Sequence, residues 1–203
     1  NTRRTLLTMA SIAFGLAVIL WLQCILAGRN KSMIDRITST RTGHLQIHRH
    51  DYLENRSIQQ AFQIPVDILQ NNLPQGSSYA PRIYLHSMIS SGEQSSTIML
   101  VGIDPLKEGQ VTNISQSLKT GNFLADEPSV DCPSRQIFIG KSLADLLKVQ
   151  VCNKIFLMTQ AADNTLGNEL FRVKGIFSTD SNDFDKSVAY APLNCVAKLG
   201  VLS

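Results

Sequence analysis

Hydrophobic and polar residues divide the chain into an apolar N-terminal run and a longer region of mixed character. From Thr5 to Gly28 there is no charged residue, and most positions are apolar. A helix of these 24 residues would span about 36 Å, whereas the hydrocarbon core of a bilayer is about 30 Å thick. The run therefore predicts a transmembrane helix.

A cleaved signal peptide is the alternative interpretation of this run. The apolar core of a signal peptide is usually about 7–15 residues long and ends at a cleavage site with small residues. The run here is longer, and Trp21 and Gln23 interrupt its far end. The chain begins at Asn1 without a methionine, so we expect upstream residues to be missing or removed.

Beyond the apolar run, segments with an apolar residue at every second position are interspersed with segments whose apolar residues follow helical spacing. Residues 29–42 are polar and are interpreted as a stalk that continues the first helix. The period of two predicts strands over 44–49, 79–90, 97–103, 136–139, 154–159, 171–177 and 187–193. Helical spacing predicts helices over 64–73, 111–118, 141–149 and 194–200. Short strands that alternate with short helices in this way predict an α+β domain.

Composition and charge exclude several classes of protein. The hydrophobic fraction of 43% and the charged fraction of 17% are typical of a folded chain rather than a disordered one. The formal net charge is +3, and Arg3 and Arg4 supply two of those charges. The region 29–203 is nearly neutral as a result, so the chain lacks the basic surface expected of a nucleic-acid-binding protein.

The four cysteines leave two interpretations open. Cys132 and Cys152 flank one predicted strand–helix unit, and a disulfide between them would close a loop of about 20 residues and stabilise the fold by about 3 kcal/mol. The alternative is a pair of free thiols. Cys24 lies within the apolar run, and Cys195 is expected to be unpaired and buried.

Neither of two candidate ion sites has the features that binding requires. The histidines of segment 44–50 share one face of a predicted strand, which would spread them over roughly 20 Å rather than around one metal ion. Asp180, Asp183 and Asp185 resemble part of a calcium loop, but the loop's glycine and its final glutamate are missing. The segments are interpreted as a polar strand face and a solvated acidic turn.

Several short motifs occur in a definite order along the chain. They are T-G-H-L-Q-I-H-R at 42–49, A-P-R-I-Y at 80–84, L-V-G-I-D-P at 100–105, S-L-K-T-G-N-F-L at 117–124, I-G-K-S-L-A-D-L-L-K-V at 139–149, F-R-V-K-G-I-F-S-T at 171–179 and V-A-Y-A-P-L at 188–193. Together with the apolar first helix, this order resembles the first membrane helix and extracytoplasmic core domain of FtsX-like and MacB-like ABC transporter permeases. The likeness is greatest to lipoprotein-releasing permeases of the LolE and LolC type.

The resemblance implies a domain organisation. Residues 1–42 would form the transmembrane helix and stalk, and residues 43–203 a two-lobed α+β periplasmic core domain. The porter lobe would comprise about 43–105 and 185–203, and the sabre lobe about 106–184. Family members have four membrane helices, so the chain resembles part of a longer permease.

The resemblance also implies a function. The chain would be a non-catalytic permease subunit that couples cytoplasmic ATP hydrolysis to the extrusion or release of lipoprotein, or another amphiphile, from the bacterial inner membrane. ATP and Mg would be bound by a separate ABC ATPase subunit, and this chain would bind no cofactor. The other expected partners are a second permease protomer, identical or different, membrane lipid, a lipoprotein substrate and a periplasmic carrier. No nucleic-acid partner is expected.

Two further functions fit the same sequence. One is an FtsX-like regulatory transducer, which controls a periplasmic partner without moving substrate. An exposed apolar patch on the core domain would favour it, whereas a lipid-sized cavity between protomers would favour transport. The other is a free-standing anchored binding module.

Two sets of candidate functional residues follow from the transporter interpretation. Residues chosen by helical spacing to line a central cavity are Met9, Phe14, Val18, Trp21 and Ile25. Ordinary lipid-facing positions are the alternative for each of them. Residues of a candidate partner-docking loop are Asp163, Asn164, Thr165, Leu166 and Gly167.

The chain departs from the family pattern in two places. LolC-type members carry a long proline-containing hook loop that captures a soluble carrier, but the matching loop here, 160–170, is shorter and lacks proline. The family usually has Gly-Asp where this chain has Cys152 and Asn153. The second departure places Cys152 in a turn and favours the disulfide interpretation.

Overall fold

The computed structural model describes residues 2–37, 43, 45–50, 52, 58–62, 64–74, 76–92, 94–124, 135–179 and 181–200. The chain divides into two compact units, Asn1–His44 and Leu45–Ser203. The first unit contains helix α1, Thr2–Ile37, which is 36 residues long. Its part Thr2–Arg29 is long and apolar enough to cross a membrane. The apolar run is therefore helical throughout, as its composition predicts.

Within its described residues, the second unit contains seven strands and five short helices. The strands are β1 (Arg82–Ser91), β2 (Gln94–Ile103), β3 (Leu118–Gly121), β4 (Gln136–Gly140), β5 (Lys154–Gln160), β6 (Leu166–Phe177) and β7 (Val188–Pro192). The helices are α2 (Val66–Asn72), α3 (Pro105–Val111), α4 (Lys141–Leu147), α5 (Asn182–Ser187) and α6 (Leu193–Leu199). Short 3-10 helices lie at Ile58–Gln60 and Ile114–Ser117.

All seven strands belong to one sheet, in the order β3-β6-β4-β7-β2-β1-β5. Strand β5 also pairs with β6, so six of the strands form a closed ring and β3 is attached to β6. The pairs β1–β2, β1–β5, β5–β6, β3–β6 and β4–β7 are antiparallel, and β2–β7 and β4–β6 are parallel. Strands assigned by the sequence to the porter and sabre lobes thus share one sheet, and the division into lobes stays a prediction.

Two hydrophobic clusters lie on the two faces of this sheet. We call the first the inner cluster; it includes Ile137 and Ile139 of β4, Ala189 and Ala191 of β7, Leu143 and Leu147 of α4, and Val196 and Leu199 of α6. The second, the outer cluster, includes Phe138 of β4, Val188 and Tyr190 of β7, and Val101 and Ile103 of β2. Alternate residues of one strand thus enter different clusters, which explains why the central strands are apolar at almost every position.

The sequence predictions differ from the structure in several segments, and they did not include β3 or α5. Residues 45–49 are not a strand, because Leu45 and Ile47 are 77% and 51% exposed and no buried face holds the segment against the sheet. The helix predicted over 111–118 is instead α3 followed by a 3-10 turn. Strand β6 begins five residues earlier than the predicted strand at Phe171.

Helix α3 starts earlier than predicted because Asp104 caps its N-terminus. The Asp104 carboxylate accepts hydrogen bonds from the backbone N–H groups of Leu106 and Lys107, at 3.2 and 3.3 Å. Pro105 occupies the first helical position, where its missing N–H costs nothing.

Candidate functional site

The predicted cavity-lining residues of α1 do not all share one face. With about 100° of rotation per residue, Phe14, Val18, Trp21 and Ile25 fall within an arc of about 60°. Met9 lies about 140° from Phe14 and so faces elsewhere. Leu7 falls inside the arc and therefore fits the helical spacing of the other four residues, which Met9 does not. All five predicted side chains are exposed in unit Asn1–His44.

The predicted docking loop lies at the tip of the β5–β6 hairpin and has a defined hydrogen-bond pattern. The Asp163 carboxylate accepts hydrogen bonds from the hydroxyl and the backbone N–H of Thr165, at 2.6 and 3.0 Å. The hydroxyl bond and then the N–H bond lower the pKa of Asp163. Asn164 adopts a left-handed conformation with φ of 65°, and Leu166 is 71% exposed. The tip therefore presents one carboxylate and one apolar side chain to solvent.

The loop is also tied to two other parts of the second unit. The Ala162 N–H donates to the carbonyl of Gly200, at 3.0 Å, and the Ala162 carbonyl accepts from the Gln59 side chain, at 3.2 Å. A Cβ on Gly167 would lie 3.0 Å from the Leu199 carbonyl oxygen. Glycine at this position lets the hairpin approach the end of α6 closely.

The outer face of β1, β5 and β6 carries apolar side chains that the sequence interpretation did not select. Burial alternates along β5, so that Ile155 and Leu157 enter the inner cluster while Phe156 and Met158 point outward. Phe156 is 58% exposed and Met158 41%. Met158 stands opposite Met88 of β1, which is 48% exposed. The sequence predicts the strand at 154–159, but its outward-facing positions carry the apolar Phe156 and Met158 rather than polar residues.

A row of positive charge borders these apolar side chains. Lys154 of β5 stands directly opposite Arg172 of β6, one row beyond the pair of Phe156 and Leu170. Both basic side chains are exposed. The Arg172 guanidinium donates to the carbonyl of Cys152 at 3.0 Å. We call this surface, formed by Met88, Phe156, Met158, Leu170, Lys154 and Arg172, the hairpin face.

The predicted disulfide between Cys132 and Cys152 is wrong at Cys152. The structure has Cys152 as a free, exposed thiol in the turn before β5, with φ of 72°. Cys132 lies outside the described residues. Cys195, expected to be unpaired, is disulfide-bonded and belongs to the inner cluster. The position of Cys152 in the sequence suggested a bridge, but the structure places its thiol in a tight turn where it is exposed.

The acidic segment around α5 also differs from its interpretation as a solvated turn. Asp185 is buried and accepts hydrogen bonds from the N–H and hydroxyl of Thr179, the hydroxyl bond measuring 2.7 Å, and from the hydroxyl of Ser178. Asp183 is exposed, and Asp180 lies outside the described residues. The described parts of the chain contain no group of three or more His, Cys, Asp or Glu side chains arranged to hold a metal ion.

Comparisons with known proteins match this arrangement of one apolar helix and an α+β unit. The family model described as the MacB-like periplasmic core domain matches residues 5–200. The transmembrane protein LolC of the lipoprotein-releasing system is 26% identical over 202 residues in Xylella fastidiosa strain Temecula1, and equally so in strain 9a5c. These matches cover 95% of this chain and 46% of each relative, so the chain spans about half of their length.

Solved structures match as well. The extracellular domain of the noncanonic ABC-type transporter YknZ from Gram-positive bacteria is 19% identical, with a TM-score of 0.47 over 66% of this chain and 64% of that one. The family match covers nearly the whole chain, including the apolar helix and all seven strands. The chain therefore belongs to the MacB-like periplasmic core domain family, that of the FtsX-like and MacB-like ABC transporter permeases.

Proposed function

We propose that the chain supplies the first membrane helix and periplasmic core domain of an ABC transporter permease in the bacterial inner membrane. The permease would couple ATP hydrolysis by a separate ATPase subunit, which binds ATP and Mg, to the extrusion or release of lipoprotein or another amphiphile. The observation that carries this proposal is the family match over residues 5–200, which runs from a membrane-length helix into the core domain without interruption. The similarity to LolC supports the lipoprotein class of substrate.

The bulky stripe on α1 supports an amphiphilic substrate. Phe14, Val18, Trp21 and Ile25 form one apolar face about three turns long, and each side chain is at least 43% exposed within its unit. Such a face would line a cavity between two permease protomers and accept acyl chains by the hydrophobic effect. The partner protomer could be an identical or a different chain under this proposal.

The proposal is tested with the full-length permease and its ATPase reconstituted in liposomes. The assay measures ATP-dependent release of a triacylated lipoprotein, and in a parallel sample of a fluorescent lysophospholipid. Phe14→Ala should lower release several-fold, because it removes a bulky side chain from the apolar stripe. Leu16→Ala is the matched control, since Leu16 lies about 200° away around the helix and is similarly exposed.

The outcomes separate the possible substrates. Release of lipoprotein alone supports the specific substrate class, and release of both supports a general amphiphile exporter. Equal losses for Phe14→Ala and Leu16→Ala would remove the role proposed for the stripe. Complete absence of ATP-dependent release, with the ATPase active and bound, would refute the transport function.

A regulatory transducer remains the second candidate function, and one observation favours it. The exposed apolar residues of the hairpin face, Phe156, Met158 and Met88, form the type of patch that a partner-controlling domain needs. Under this alternative, ATP would change the activity of a bound periplasmic protein while neither amphiphile left the membrane. The same reconstitution therefore distinguishes the two functions.

A further inference from the structure

On the outer side of the sheet, side chains are buried over one half and partly exposed over the other. Over β4, β7 and β2 the outer cluster buries Phe138, Tyr190 and Val101. Over β1, β5 and β6 the described residues leave Met88, Phe156 and Met158 48%, 58% and 41% exposed. A sheet face that is free in solution normally carries polar side chains. Apolar side chains at these positions indicate a surface that another molecule covers.

Cross-strand register brings these side chains together. Met158 pairs with Met88 on one side, and Phe156 pairs with Leu170 on the other. Directly opposed residues have Cβ atoms about 5 Å apart, so the apolar side chains form one contiguous centre. Phenylalanine and methionine are enriched in protein interfaces, and the flexible thioether adapts to the shape of a partner.

The charge on the same face selects a partner. Lys154 and Arg172 are opposed in register, and like charges in that position destabilise a sheet unless an anion lies near them. Among the described residues neither side chain forms an ion pair. The only carboxylate on β1, β5 or β6 is that of Glu169, which stands opposite the inward-facing Leu157 and pairs with Arg135 at 3.0 Å. The basic row is therefore available to carboxylates from outside.

The size of the hairpin face indicates a short segment rather than a second folded domain. Three strands about 4.8 Å apart and rows about 7 Å apart along a strand give a patch of only a few hundred Å². A stable interface between two folded proteins buries about 800 Å² on each side. A segment with two or three large apolar side chains, followed about 7 Å further on by carboxylates, would match the apolar centre and the basic row together.

We propose that the hairpin face is a docking site for an acidic amphipathic segment of a partner protein. Phe156, Met158 and Met88 contact the apolar side chains of that segment, and Lys154 and Arg172 bind its carboxylates. The site is separate from the apolar stripe of α1 and does not depend on which substrate the permease moves.

The test is selection of random dodecapeptides displayed on phage against the full chain in nanodiscs, after depletion on empty nanodiscs. We expect enriched peptides to combine aromatic or aliphatic residues with a cluster of Asp or Glu. The best peptide is then synthesised and its affinity measured by fluorescence anisotropy. The double variant Phe156→Thr/Met158→Thr should bind it at least about tenfold more weakly, which corresponds to about 1.4 kcal/mol.

Matched variants control for unrelated effects of the substitutions. Leu106→Thr removes an equally exposed apolar side chain from α3, away from the hairpin face, and should leave the affinity unchanged. Lys154→Glu should weaken binding and lessen its dependence on salt, whereas Lys141→Glu at an exposed position of α4 should do neither. Circular dichroism melting curves verify that each variant is folded.

Several results would overturn the proposal. Enriched peptides with no acidic residues, or affinity unaffected by Phe156→Thr/Met158→Thr, would exclude an acidic segment. Stronger retention of the chain on vesicles containing phosphatidylglycerol, lost in the same double variant, would assign the face to lipid. Dimerisation of the chain that is lost in this variant would assign it to a second copy. If the reconstituted permease binds the peptide but shows no ATP-dependent release of amphiphile, the proposed function is refuted and the docking site is not.

Discussion

Removal of the Glu108 carboxylate should be among the most destabilising single changes in the core domain. Glu108 of α3 is 1% exposed and accepts two hydrogen bonds from the Arg82 guanidinium, at 2.9 and 2.6 Å. The hydroxyl of Thr112 donates a third bond to the same carboxylate, at 2.6 Å. Burial alone would lower the pKa of Arg82, but the hydrogen bonds and charge of Glu108, with a smaller contribution from Tyr84, raise it above its ordinary value. The Arg82 guanidinium therefore remains positively charged.

The magnitude follows from what Glu108→Ala leaves behind. Two unit charges about 4 Å apart attract each other by about 4 kcal/mol at an effective dielectric constant near 20. The variant loses this attraction, and the Arg82 side chain, only 10% exposed, loses both of its hydrogen bonds to Glu108. Breaking a buried pair in this way costs about 3–5 kcal/mol. Thr112 also loses its short hydrogen bond to the carboxylate, so we expect a loss near the upper end of that range.

The assay is urea unfolding of the full chain in mild detergent, followed by the near-ultraviolet circular dichroism of its tyrosines. The shift in midpoint, multiplied by the m-value, gives the change in the free energy of unfolding. Arg82→Met/Glu108→Leu should recover most of the loss, because it removes both charges from the buried site. Lys107→Ala, which breaks a solvent-exposed pair with Asp104, should cost less than about 1 kcal/mol. A loss below about 1 kcal/mol for Glu108→Ala would refute the reasoning.

Three further predictions concern single side chains. Ser87→Ala should stabilise the core domain by about 1 kcal/mol in the same unfolding assay, because the buried Ser87 hydroxyl has no hydrogen-bond partner among the residues that the structure describes. Cys152 should react with a maleimide reagent in the folded protein and Cys195 only after reduction, as intact mass spectrometry would reveal. The carboxylate of Asp163 protects the Thr165 amide from hydrogen exchange. Because the pKa of Asp163 is lower when folded, this protection should persist through the ordinary titration range of aspartate and disappear only as the pH falls through the lowered value.

Sequence patterns predicted those elements whose periodicity comes from burial. Strand β5 alternates between buried and exposed residues along its whole length, and its predicted range, 154–159, is one residue short of the observed strand. Helix α4 places Leu143 and Leu147 in the inner cluster, as their spacing predicts. In both segments, local periodicity and tertiary contacts agree.

The remaining elements depend on contacts that a local pattern does not contain. The first half of β6, Leu166 to Leu170, has no buried residue, and it is a strand because β5 pairs with it in register. Segment 45–49 alternates equally well, but its apolar residues Leu45 and Ile47 are exposed. On the hairpin face, Met88 and Met158 are 70 positions apart in the sequence, and only the pairing of β1 with β5 brings them together. Such long-range pairing cannot be read from a single sequence.

The closed ring of strands limits how another chain could attach to the core domain. An open sheet offers unpaired N–H and C=O groups along its edges, to which a partner can add a strand through backbone hydrogen bonds alone. In the described part of this sheet, every ring strand has a neighbour on both sides for at least part of its length, and β6 also carries β3. Outside β3, recognition therefore relies mainly on side chains, whose identity the partner must match. A ring of this kind favours selective partners over strand-by-strand aggregation.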